Sequence, residues 1–231
     1  GHCRLSVIDI ENGSQPMKSL DGRFSLVFNG EIYNYIELGN HLKKSGINLI
    51  TNSDTEVLLQ LLIKEGIDGI SKLNGMFSFI FHDRKNNSWI AARDQVGIKP
   101  LYYTQTEDEL IFASEIKAFF EHPHINAKRS QKSLQQYLSF QLCLDDHTLF
   151  KGIKKIKPGH YFKGTGNKIT SKNCYWNPSY KINNELTENQ FIEKLRYLLS
   201  DTINLQVRSD VPLGGYLSGG IDSSLICALA N

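Results

Sequence analysis

Ser218-Gly219-Gly220-Ile221-Asp222-Ser223-Ser224 gathers two glycines and three hydroxyls into seven residues. Glycine lets a backbone approach an anion closely and take positive φ. With a helix starting near Asp222, Ser223 and Ser224 fall in its first turn, where amide hydrogens are unpaired and the dipole is positive. A pyrophosphate fits such a loop without a lysine. The Walker pattern needs a Lys before its Ser/Thr, and none stands here. The same residues also read as a plain strand-to-helix turn, with Asp222 and Ser223 as caps.

The elements that must carry this loop are legible around it. Ile192, Leu195, Leu199 and Ile203 recur at helical spacing behind a capping box of Thr187 and Gln190. That helix leads through SDVPLGGYL, read as a turn and a short buried strand, into the glycines. Helix, strand, Gly-rich turn and helix together open an α/β nucleotide domain. Upstream, 177–186 (NPSYKINNEL) is polar and reads as a linker. Residues 1–176 are different in kind. RLSVID (4–9), RFSLVFNG (23–30), MFSFIFHD (76–83), SWIAARD (88–94), LYYTQT (101–106) and ELIFAS (109–114) are β-branched or aromatic runs bounded by turn residues. Helices are predicted at 34–45, 54–66, 115–121 and 130–140, the second behind a Ser53/Glu56 capping box. This succession indicates an α+β layered domain rather than regular βαβ repeats.

The loop resembles the S-G-G-x-D-S signature of ATP pyrophosphatases. Joined to GHCRLSVID (1–9), NGEIYN (29–34), SDTEV (53–57), RDQVGIKPLYY (93–103) and FASEIKA (112–118), it makes almost the whole chain resemble glutamine-hydrolysing asparagine synthetase. The resemblance implies an N-terminal-nucleophile-type glutaminase sandwich over 1–176, with two antiparallel sheets between helical layers. The beginning of an α/β ATP-pyrophosphatase domain then follows over 187–231. It implies that Arg4 grips the α-carboxylate of glutamine through two parallel hydrogen bonds, while Glu31 and Asp54 hold the ammonium. Asn29 through its side-chain NH₂ and Gly30 through its N–H would donate to the oxyanion; removing one such donor typically costs about 10²–10³ in rate. Backbone around Leu5, Ser6, Val7 and Ile8 would line the pocket. Leu217, Ser218, Gly219, Gly220, Asp222, Ser223 and Ser224 would hold the pyrophosphate of ATP, with Mg²⁺ as counter-ion and no protein metal site. Aspartate is the implied acceptor, and pairing into a homodimer is implied by family habit. Each residue has a plainer reading: Arg4 as a strand-end charge, Asn29-Gly30 as a hairpin turn, Glu31 as surface charge and Asp54 as a favourable acid at a helix start. Arg93-Asp94 reads as a structural ion pair.

In that family the nucleophile is an N-terminal Cys whose own amine is the base. Residue 1 here is Gly, and the amine of Cys3 is locked in a peptide bond, so Cys3 is read as an ordinary thiol. The chain as given is therefore expected to lack glutaminase turnover. A related amidotransferase with another carboxylate acceptor, or a non-catalytic binding relative, fits the same residues.

Bulk properties exclude several other classes. The 231 residues are 40% hydrophobic and 22% charged, with 12 Phe and 10 Tyr, enough for a real core. A formal charge of +2, from 26 basic against 24 acidic residues, argues against nucleic acid. KGIKKIK (151–157) reads as a strand edge or solvated face. The 4 Cys form no C-x-x-C pair, which suits reduced thiols in the cytoplasm. Apolar runs such as Leu61-Leu62-Ile63 are far too short to cross a bilayer. Gly1 is an unusual first residue for a natural chain, so no targeting information is read from it.

Overall fold

The structure, a computed structural model, describes residues 2, 7–9, 12–182 and 185–230. Its strands and helices in chain order are β1 (Met17–Lys18), β2 (Phe24–Ile32), α1 (Tyr35–Lys44), α2 (Asp54–Glu65), β3 (Gly75–Asp83), β4 (Ser88–Arg93), β5 (Tyr102–Gln105), β6 (Leu110–Ala113), α3 (Gln131–Phe140), β7 (Lys154–Lys155), β8 (His160–Thr165), β9 (Lys168–Cys174), α4 (Glu188–Gln206) and α5 (Ile221–Leu229). Short 3₁₀ helices cover Gly66–Lys72 and Ile116–Glu121.

Two antiparallel sheets form. One has six strands in the order β1-β2-β3-β4-β8-β9, the other three in the order β6-β5-β7. The period-2 alternation of the aromatic strands decides what lies on each face of the larger sheet. Leu26, Phe28, Phe77, Phe79, Phe81 and Ala92 share one face and pack with Leu38 and Leu42 of α1 and Val57, Leu58, Leu61 and Leu62 of α2. Trp89, Ala91 and Phe162 point the other way, onto Tyr103 of the smaller sheet and onto Leu101 and Ile156 beside it. Phe77 and Phe79 are fully buried, and truncating either to Ala would cost about 3–5 kcal/mol.

Most sequence-based elements lie where the patterning put them. The 23–30, 76–83, 88–94, 101–106 and 109–114 runs are strands, and KGIKKIK supplies β7 at the edge of the smaller sheet. Four readings are corrected. Ser53 does cap α2, accepting from the Thr55 N–H at 3.1 Å, but Glu56 does not close a capping box. Its carboxylate instead accepts from the N–H groups of Ile50 and Thr51 and from Thr51 Oγ1, folding the preceding turn onto the helix. The buried strand expected within SDVPLGGYL is absent; Tyr216 is 99% exposed and the segment runs as a largely exposed, irregular connection from α4 to α5. Of RLSVID, residues 4–6 lie outside the described residues, and Val7–Asp9 is irregular rather than a strand. Asn29-Gly30 is no hairpin turn: it sits inside β2, paired with Ser78 and Phe77.

α4 carries the Thr187/Gln190 capping box. Its apolar stripe forms but is mostly uncovered: Ile203 is buried, whereas Ile192 and Leu195 are exposed, and α5 buries none of its residues. No helix among the described residues is long and apolar enough to cross a membrane.

Candidate active site

The site grows from a gap in the larger sheet. β1 pairs with β2 only at Leu26 and Ser25, so beyond Leu26 one edge of β2 is open. In an antiparallel ladder, N–H groups of one parity face the same edge. Phe28 sends its N–H there to Gln15 Oε1 at 2.6 Å, and Ile32 sends its N–H to Asp54 Oδ2 at 3.0 Å. Gly30 lies between them in the same parity, so its N–H faces the same open edge. A cavity of about 250 Å³ occupies the gap, lined among others by Val7, Ile8, Asn29, Gly30, Glu31 and Asp54. Gly30 is required here sterically. A Cβ on it would stand 2.0 Å from the Met76 carbonyl oxygen, and its φ is +151°.

The cavity is acidic. Glu31 is 8% exposed and Asp54 3% exposed. Burial, then the neighbouring Asp54 charge, pushes the Glu31 carboxyl up to about 6, against the opposing pull of Lys99. Such a pair favours a cationic guest, which would relieve both the desolvation and the mutual repulsion. Glu31 is therefore not a surface charge. Asp54 stands at the first residue of α2, but its carboxylate is bonded to β2.

Two supports were not anticipated as site residues. Asn29 Nδ2 donates to Ser114 Oγ at 3.2 Å, which fixes one amide hydrogen and leaves the other for a ligand. Lys99 lines the cavity, presented by a loop that Asp94 and Arg93 build together. Asp94, 0% exposed, accepts from the N–H groups of Phe77, Val96, Ile98 and Lys99. Arg93 donates to the carbonyls of Lys99, Ile156 and Gly97. The two residues thus work as separate scaffolds, on amides and on carbonyls, rather than as the salt bridge read from their adjacency. His2, Gln15, Phe28, Thr55 and Met76 complete the lining. The signal for Lys99 and Ser114 was their place inside GIKPLYY and FASEIKA; that these segments fold back on Asn29 and Glu31 is a tertiary fact. Cys3, Arg4, Leu5 and Ser6 lie outside the described residues.

The glycine loop is a separate, exposed feature. Gly219 has φ +83°, and Gly220 caps α5 without a side-chain bond, so Asp222 and Ser223 sit inside the helix rather than capping it. Ser218 and Ser223 hydroxyls are 2.9 Å apart, and those of Ser223 and Ser224 donate to the Gly220 carbonyl at 3.1 and 2.8 Å. The first amides of α5 have no intrahelical acceptor and point outward with the positive end of the dipole. These groups suit phosphate oxygens. Among the described residues no cluster of three metal-ligating side chains forms, so a Mg²⁺ here would have to ride on the phosphates, with Asp222 the nearest carboxylate in sequence.

A family model described as a glutamine amidotransferase domain matches residues 1–176, and one described as asparagine synthase matches residues 194–231. The chain is similar to asparagine synthetase (glutamine-hydrolyzing) 1 of Bacillus subtilis strain 168, at 41% identity over 231 residues, covering 100% of this chain and 36% of that protein. It is also similar to the amidase chry2 of Gibberella zeae, at 35% identity over 235 residues, covering 100% of this chain and 34% of that one. The chain thus spans about a third of the length of these curated relatives. Among solved structures, that of the allosteric regulatory enzyme of purine biosynthesis aligns with a TM-score of 0.50 at 20% identity, over 95% of this chain and 47% of that chain. The likeness is one of fold, the α+β sandwich expected of an N-terminal-nucleophile-type glutaminase. Since the first of these family matches spans most of the molecule, including both sheets and the open edge of β2, the chain belongs to the glutamine amidotransferase domain family.

Proposed function

We propose that this chain is the glutamine-handling part, and the start of the synthetase part, of a glutamine-dependent asparagine synthetase. One observation carries the reading: Asn29, the Gly30 edge, Glu31 and Asp54 line a single cavity of amino-acid size. Glutamine would enter with its ammonium between Glu31 and Asp54. Its carboxamide oxygen would lie against the Gly30 N–H and the free hydrogen of Asn29 Nδ2, donors that gain strength as that oxygen becomes an oxyanion. Arg4 would take the α-carboxylate. The family's N-terminal cysteine thiol would attack the carboxamide carbon, its own amine passing the thiol proton to the departing ammonia, and water would then hydrolyse the glutamyl thioester to glutamate. The ammonia would pass through an internal channel to the second domain. There ATP and Mg²⁺ would turn aspartate into an aspartyl-adenylate, with pyrophosphate held by 218–224, and ammonia would displace AMP to give asparagine.

With Gly at residue 1 and the Cys3 amine in a peptide bond, the 231-residue chain should bind glutamine without consuming it. Isothermal titration with L-glutamine is the test. We expect saturable binding, weakened at least tenfold by Asn29→Asp or Asp54→Asn, and no glutamate above a blank. No heat of binding at millimolar L-glutamine overturns the reading. The amidase relative, at 35% identity over the whole chain, supports a second reading with the same nitrogen donor and a different acceptor. Assaying the intact protein with aspartate against other carboxylates decides between them.

A further inference from the structure

The segment between α4 and the glycine loop does more than connect. Asp210 donates its N–H to the Val7 carbonyl at 3.0 Å, and its carboxylate accepts from the Asp9 N–H at 2.8 Å. It therefore holds the backbone on both sides of Ile8, a residue 3% exposed that lines the cavity with Val7. Two residues earlier, Arg208 makes a two-pronged pair with Glu37, both bonds at 2.7 Å, and donates to the Tyr33 carbonyl at 3.0 Å. The grip extends further: Asp9 Oδ2 accepts from the Asn52 N–H at 2.9 Å, two residues before Asp54, and Tyr33 stands two residues after Glu31. Three strips of cavity wall are thus tied to a three-residue stretch inside the part that matches the asparagine synthase family.

We propose that Asp210, anchored by Arg208, is a positioning residue of the amino-acid cavity, so that the second family's segment sets how well the first family's site binds its ligand. Val7–Asp9 runs as irregular backbone rather than as a strand of the sheet. Asp9 adopts φ +45°, a conformation that Asp tolerates but does not enforce. Asp210 adds one bond to the backbone on each side of Ile8. A wall left loose must be ordered when ligand arrives, and that cost appears as lost affinity. The inference rests on the glutamine reading of the cavity.

The experiment is calorimetric titration of L-glutamine into the 231-residue chain and its variants, with thermal unfolding recorded alongside. Asp210→Ala removes the acceptor for Asp9 and is expected to weaken binding about 5–10-fold, the size of one lost hydrogen bond. Asp210→Asn keeps an acceptor oxygen and should bind within about twofold of wild type, a rescue that a general structural role for the charge would not produce. Arg208→Ala should weaken binding like Asp210→Ala, and the double variant should fall no further than the worse single, because both serve one clamp. Arg196→Ala, which removes an exposed pair with Glu193 on α4, is the control and should bind as wild type does. Wild-type binding with Asp210→Ala and Arg208→Ala both within twofold of it overturns the clamp and leaves the glutamine reading standing. So does an Asp210→Asn variant as weak as Asp210→Ala. No wild-type binding overturns the glutamine reading and the clamp with it.

Discussion

Glu31 has two neighbours of opposite sign, and the balance between them sets a pH window. Burial and Asp54 raise its carboxyl from the ordinary 4.5 to about 6, and Lys99 only partly offsets them. Below about 6 the free cavity holds a protonated Glu31 that no longer attracts an ammonium. Glutamine affinity should then fall as pH drops through 6, by up to about tenfold per pH unit. Titrations from pH 5 to 8 check this, and Glu31→Gln should give a weaker, flat profile. The ligand-free stability carries the opposite sign. A carboxyl whose folded value is raised costs stability when ionised, so the cost is full above about pH 6 and vanishes toward pH 4.5. Glu31→Gln should therefore raise the unfolding temperature at pH 7.5 and leave it unchanged at pH 4.5. Ser114 tests the other half of the site. Losing the 3.2 Å bond to Asn29 frees the amide to turn. Ser114→Ala in the intact protein should lower kcat for glutamate formation about 3–10-fold with KM little moved, as befits a donor that matters most in the transition state.

At the scale of elements, the Asp94 loop is the most exposed to a single change. One buried carboxylate satisfies four backbone N–H groups. Asp94→Ala would leave several of them without a partner, and each buried orphan costs about 1–3 kcal/mol. We expect a loss of at least 3 kcal/mol in urea unfolding, with glutamine binding reduced as Lys99 loses its perch. This element also marks the limit of reading from sequence. The strands were legible because aromatic and β-branched residues alternate with a period that only a sheet explains, and Asn29, Gly30, Glu31 and Asp54 were legible inside quoted motifs. Arg93-Asp94 was misread because adjacent opposite charges suggest each other, while sequence cannot show that one faces amides and the other carbonyls. Glu56 was misread for a similar reason. The capping-box spacing was met, but the carboxylate found three closer donors in the preceding turn. Ser114 and Lys99 lay inside quoted motifs, but nothing local marks them as neighbours of β2; only the tertiary fold brings them there.

The whole molecule is unevenly held. The two sheets and α1–α2 bury nearly every large apolar side chain of the core, whereas α4 buries Ile203 alone and α5 nothing. Protection from hydrogen exchange should follow this division. Amides of β2, β3 and β4 should exchange only with global unfolding, and those of α5 orders of magnitude faster, in a mass-spectrometric time course of the 231-residue chain. Uniform protection across 188–229 would contradict it. The sequence suggested this unevenness only indirectly. The period of Ile192, Leu195, Leu199 and Ile203 announced a helix with an apolar side, but periodicity says nothing about whether anything covers that side.

Asn29, Gly30 and Glu31 sit within a run of nine consecutive pairings between β2 and β3, and this has a consequence for anyone trying to change what the cavity accepts. A strand threaded so tightly cannot be edited one position at a time, since any shift in its path propagates into the fully buried phenylalanines opposite. Directed evolution toward a new guest should therefore accumulate its successful substitutions at Val7, Gln15 and Lys99, on the mouldable rim, and leave the rail beneath them untouched.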